Sequence, residues 1–97
     1  MLDLTPEQLA EVRSILSQHI PERAVRAFGS RVNGTAKPFS DLDLVVMGDV
    51  PLEFRQLAAL KDAFAESSLP FRVDIVDWAT TSAEFRAIVG QGNLSVS

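Results

Sequence analysis

Three short apolar runs punctuate the sequence, and the pieces between them constrain its topology more than any other feature. Residues 24–28, 41–47 and 71–78 are rich in Val, Leu, Ile and Phe and each reads as a strand. Between the first two, residues 29–40 contain Gly29, Asn33-Gly34 and Pro38, which predicts a loop, or a loop plus one short helical turn. That piece is too short for a crossover helix, so these two strands are expected to be antiparallel. Between the second and third runs, Asp49 and Pro51 announce a long helix with Phe54, Leu57, Leu60 and Phe64 on one face, broken at Leu69-Pro70. A strand–helix–strand unit of this kind makes its two strands parallel and its crossover right-handed.

Helices are expected at both ends. Thr5-Pro6-Glu7-Gln8 is a helix start, with Thr5 as N-cap, Pro6 at the first helical position and Gln8 placed to reach back. Leu9, Val12, Leu16 and Ile20 follow at helical spacing until Pro21. Thr81-Ser82-Ala83-Glu84 reads as a second capping box, opening a helix with Phe85, Ile88 and Val89 that Gly90 and Gly92 end. The last five residues are expected to fray. The expected fold is therefore α/β (α+β), a small mixed β-sheet flanked by helices, with residues 1–97 as a single domain.

Composition narrows the function. The 97 residues carry 9 Lys and Arg against 13 Asp and Glu, a net charge of −4, which argues against direct binding of duplex DNA. There is no cysteine and only one histidine, His19. Thiol catalysis, disulfides and imidazole-rich metal sites are excluded. No run is long enough to span a bilayer and the N-terminus carries no signal-peptide pattern, so a cytoplasmic protein is expected. His19, near the end of the first helix, reads as a helix-end residue rather than a catalyst.

The chemistry concentrates in Gly29-Ser30-Arg31, Ser40-Asp41-Leu42-Asp43-Leu44 and Val73-Asp74-Ile75-Val76-Asp77. Side chains alternate along a strand, so Asp41 and Asp43 point one way and Leu42 and Leu44 point to the core. The residues flanking the two aspartates are Ser, Leu and Val, so no neighbouring base balances their repulsion, and a hard divalent cation such as Mg²⁺ would. Asp-x-Asp alone is a weak pattern, and a solvated strand edge is the plain alternative. Asp is a poor strand former, however, and two of them at period two inside a Leu/Val strand call for a reason. Asp74 on the neighbouring strand could complete a set of three carboxylates, as sites with two ions about 3.5–4 Å apart require. Asp77 is its rival, because the two face opposite sides of one strand. Asp74, flanked by Val73 and Ile75, is the preferred third ligand. Gly29 lets the backbone turn tightly beside a phosphate, and Ser30 adds a hydroxyl and an N–H. Arg31 and Lys37 are loop cations that could meet a triphosphate or simply face water. P-loop and dinucleotide fingerprints both fail here. Trp78 is open between core and partner contact.

Gly29-Ser30, ten residues, then Asp41-x-Asp43 resembles the Gly-Ser-x(10)-Asp-x-Asp signature of the nucleotidyltransferase superfamily that includes DNA polymerase beta and kanamycin nucleotidyltransferase. The longer run Gly-Ser-Arg-x-x-Gly…Ser-Asp-Leu-Asp-Leu is similar to its smallest members, the minimal nucleotidyltransferases (MNT, MntA-like), and the likeness covers nearly the whole chain. The resemblance implies a nucleotidyltransferase fold and two Mg²⁺ ions. It makes Asp41, Asp43 and Asp74 the metal-binding and catalytic residues and puts Gly29 and Ser30 on the nucleotide, with Arg31 beside them. It implies transfer of AMP (or another NMP) from ATP to an acceptor hydroxyl. The partner it implies is a small all-helical HEPN-type toxin, with the chain acting as antitoxin. Because the sheet and its cover use nearly all the residues, the acceptor is expected on that partner or on a second copy of the chain. The C-terminal Gly90-Gln91-Gly92-Asn93-Leu94 departs from the acidic, aromatic ending of many relatives, which puts partner contacts in doubt. Two other readings remain: a non-catalytic module that occludes a toxin, and a small-molecule (antibiotic) nucleotidyltransferase.

Overall fold

The computed structural model describes residues 1–97. Helix α1 spans Pro6–His19, β1 Val25–Phe28, α2 Ser30–Asn33, β2 Leu42–Val46, α3 Phe54–Ala65 and β3 Val73–Asp77. A 3₁₀ turn, Trp78–Thr80, leads to α4, Ala83–Gly90, and to β4, Asn93–Ser95. The sheet order is β3-β2-β1-β4. As the linker lengths predict, β1 and β2 are antiparallel and β2 and β3 are parallel.

Caps fix the helix starts. The Thr5 hydroxyl accepts the Gln8 N–H at 3.1 Å, and the Gln8 side chain accepts the Thr5 N–H at 3.0 Å, closing the expected capping box. In α4 the cap moves one residue on: Ser82, not Thr81, accepts from the Phe85 N–H, so Glu84 falls in the first turn instead of reaching back.

Alternation along the strands sorts the two faces. Leu42, Leu44 and Val46 are fully buried against Val12, Leu16 and Ile20 of the α1 segment and Leu60 and Phe64 of α3. The opposite face carries Phe28 and Val45, covered by Val89 and Phe85 of α4, with Val76 and Trp78 alongside. Trp78 thus packs at the margin of this second core, and the Arg86 guanidinium lies 4.7 Å from its ring centre.

Two further expectations fail. Phe54 does not face the core; it is 82% exposed as the first residue of α3, and Leu52, at 7%, takes the buried place. The helix begins later than Asp49 and Pro51 suggest, because Glu53 is its N-cap and the Leu52 N–H is held by the Asp77 carboxylate at 2.7 Å. The C-terminus does not fray: β4 pairs with β1, matching Ala27 to Leu94 and Phe28 to Asn93. Val96 is 2% exposed, and the Ser97 carbonyl accepts from Val25. The edge of β1 would otherwise be unpaired, and the alternation Leu94-Ser95-Val96 suits a strand that buries one face.

Candidate functional site

The site is assembled by strand register. Asp43, on the inner strand β2, lies opposite Phe28 of β1 on one side and Asp74 of β3 on the other. One position past Phe28 the chain turns at Gly29, whose φ of 81° makes it a strained position for any residue with a side chain. Space opposes one as well, because a Cβ at Gly29 would run into the Asp43 carboxylate and force it to shift. Gly29 is also the N-cap of α2, with no side-chain cap of its own. The first backbone N–H groups of this short helix lack intrahelical partners and so can meet an anion. The glycine turn and Asp43, separated in sequence, are thus brought side by side.

Asp41 precedes β2 by one residue, and a base does stand beside it. The Arg72 Nη2 lies 2.9 Å from Asp41 Oδ2, and its Nε lies 3.4 Å from Asp74 Oδ1. Sequence reasoning missed Arg72 because it is remote from Asp41 along the chain; its place immediately before the Asp74 strand was the only signal. With the guanidinium between them, no group of three Asp, Glu, His or Cys side chains is gathered tightly enough to hold a metal ion. The donor set nonetheless suits one. Asp41, Asp43 and Asp74 supply only hard oxygens, and a single guanidinium offsets their mutual repulsion only in part. Burial pushes the Asp43 carboxyl above the usual carboxylate range, and the charges of Asp74 and Asp41 push it the same way, against the opposing effect of Arg72.

Asp77 faces elsewhere and has another task. Its Oδ2 accepts from the Leu52 N–H and its Oδ1 from the Ala79 N–H, at 2.7 and 3.2 Å. Both oxygens are thus engaged in holding the loop before α3 and the 3₁₀ turn. Arg31 is likewise occupied. It is 4% exposed, its guanidinium donates to the carbonyls of Asp3, Pro38 and Ser40 at 2.8–3.0 Å, and it lies 4.0 Å from the Phe71 ring centre. Its donors are thus turned inward, away from the nucleotide that its side chain was expected to meet, and the outer end of α2 offers its backbone and the half-buried Ser30 hydroxyl. Lys37 is exposed, with its carbonyl directed toward Arg31 at 3.5 Å.

A cleft of about 620 Å³ opens on Asp43 and Asp74, walled by Phe28, Val76 and Phe85 and reaching Lys61 past the β3 edge. Its size is that of small-molecule sites. The Phe28 and Phe85 rings meet edge to face at 5.6 Å, giving the cleft an apolar wall beside its acidic end.

The family model for the nucleotidyltransferase domain matches residues 9–95. The chain belongs to the nucleotidyltransferase family. Over 88 residues this nucleotidyltransferase is 54% identical to the probable protein adenylyltransferase MntA of Haemophilus influenzae, spanning 91% of this chain and 77% of that protein. An aminoglycoside (3'') (9) adenylyltransferase of Klebsiella pneumoniae is 36% identical over 72 residues, and the match spans 28% of that enzyme. Among solved structures, a toxin–antitoxin pair with AMP-PNP superposes at a TM-score of 0.76 with 26% identity, covering 92% of this chain and 72% of the other. The fold expected from the sequence is the one that these nucleotidyltransferases share. No helix is long and apolar enough to cross a membrane.

Proposed function

We propose that this nucleotidyltransferase transfers AMP from ATP to a hydroxyl on a HEPN-type toxin and acts as its antitoxin. The observation that carries the proposal is the register that sets Asp43 beside Asp74 while Gly29 packs on the same Asp43 carboxylate. Carboxylates and a phosphate-accepting turn in contact suit phosphoryl-group chemistry. The likeness to the MntA protein adenylyltransferase and to a toxin–antitoxin pair holding AMP-PNP supports a protein acceptor.

In the proposed reaction the Gly29-Ser30 turn holds the triphosphate through backbone N–H groups and the Ser30 hydroxyl. Asp41, Asp43 and Asp74 would hold two Mg²⁺ ions, which when bound would neutralise the phosphates and lower the pKa of the acceptor hydroxyl. Asp74 lies on the edge strand β3 and is partly exposed, so an acceptor hydroxyl can reach it. The acceptor hydroxyl gives up its proton to water, its oxygen bonds to the α-phosphorus, the bond from the α-phosphorus to the oxygen bridging to the β-phosphate breaks, and pyrophosphate leaves with the charge it gains. Catalysis is then a matter of positioning and charge neutralisation. The proposal includes residues 1–97 as one catalytic domain, a cytoplasmic setting, and an acceptor on the toxin or on a second copy of the chain.

The test is transfer of labelled AMP from Mg²⁺-ATP to a co-purified HEPN-type partner. Wild type labels the partner; Asp41→Asn and Asp74→Asn fold but do not. Labelling by either variant at the wild-type rate would remove that residue from the mechanism. Neutralisation of the toxin without any labelling would favour the occlusion module.

A further inference from the structure

We propose that Arg72 is a resident counter-cation for the acidic site, which a divalent ion must displace in order to bind. The proposal rests on the reading of Asp41, Asp43 and Asp74 as metal ligands. Arg72 immediately precedes β3, and its carbonyl accepts the Leu42 N–H at 2.9 Å. That bond pins its backbone beside the Asp41–Asp43 segment. Its one guanidinium then spans two carboxylates, at 2.9 Å to Asp41 just before β2 and at 3.4 Å to Asp74 on β3.

A guanidinium and a dication cannot both occupy the space between those oxygens. An arginine stays charged at any working pH, so it cannot yield by losing its proton. It can yield only by moving, and its exposure decides whether it can. The Arg72 side chain is 72% exposed and its partners 38% and 44%, so water replaces the lost contacts and the ion pairs are weak. Arg31 is the contrast: an arginine buried among carbonyls cannot swing away. Arg72 therefore keeps the three carboxylates tolerable to one another without metal and opposes the metal's arrival.

The experiment compares wild type, Arg72→Gln and Arg72→Lys for Mn²⁺ binding by calorimetry without nucleotide, and for Tm in chelator and in saturating Mn²⁺. Two exposed ion pairs correspond to about five-fold in an equilibrium constant, so Arg72→Gln should bind Mn²⁺ about five-fold tighter. Its Tm should fall in chelator and recover in Mn²⁺, giving a larger metal-induced shift than wild type, with Arg72→Lys between the two. Equal or weaker Mn²⁺ binding by Arg72→Gln, in a protein whose wild type binds Mn²⁺ and whose Asp43→Asn variant does not, would overturn the role of Arg72 alone. Failure of every variant to bind Mn²⁺ would overturn the metal reading, and this proposal with it.

Discussion

Replacing Arg31 by methionine tests whether that arginine is a structural tie. Methionine retains an apolar stem over Phe71 and removes every donor. The guanidinium now bonds Ser40 twice, at 3.0 and 2.8 Å, with Asp3 at 2.9 Å and Pro38 at 3.0 Å. Bonds from a charged donor are each worth about 1.5–3 kcal/mol, but the freed carbonyls lie on loops that water reaches, so a total near ~3 kcal/mol is expected. Against a domain stability of about 5–15 kcal/mol the variant still folds. For a chain of this size ~3 kcal/mol corresponds to a fall in Tm of about 15 °C and in the urea midpoint of about 2–3 M. The assay is urea denaturation followed by circular dichroism, with ATP titration of the folded variant at low temperature. A structural tie predicts the full stability loss with ATP affinity changed only a few-fold. Stability within about 0.5 kcal/mol of wild type, together with loss of ATP binding, would refute the reasoning and put the side chain on the triphosphate.

Three further outcomes follow from the same geometry. Asp43→Asn should raise the Tm of the metal-free protein at neutral pH. The Asp43 carboxyl is raised in the folded state, so its contribution to stability is complete below the ordinary carboxylate pKa and is lost as pH rises through the folded value. The advantage of the asparagine should therefore vanish towards about pH 4, and a pH-independent difference between the two melting curves would contradict it. Gly29→Ala should cost about 1–3 kcal/mol from the positive φ and should weaken ATP binding by calorimetry, because the new Cβ displaces the Asp43 carboxylate; unchanged binding would separate the turn from the acids. Asp77→Ala should lower stability by about 1–3 kcal/mol through the lost bonds to Leu52 and Ala79, while AMP transfer at a temperature where it is folded stays within a few-fold of wild type.

Much of this protein follows from signals that lie within a few residues of one another. The Thr5–Gln8 box, the alternation that buries Leu42 and Leu44, and the linkers that make β2 antiparallel to β1 and parallel to β3 are all local in this sense. Caps, side-chain period and chain length act over one turn or one connection, so the sequence alone determined them. Tertiary structure decided what depends on distant partners. Leu52 rather than Phe54 is buried because Asp77, 25 residues on, captures the Leu52 N–H. The C-terminal residues become β4 because the edge of β1 offers them unpaired backbone groups. Arg31 and Arg72 are both arginines beside the motif, and nothing local separates them. One is enclosed because the Asp3 carbonyl, 28 residues away, and the Phe71 ring close over it. The other stays at the surface and reaches Asp41 across 31 residues. Whether a cation is a fixed tie or a displaceable counter-ion depends on its burial and its partners, and only the packed chain brings those together.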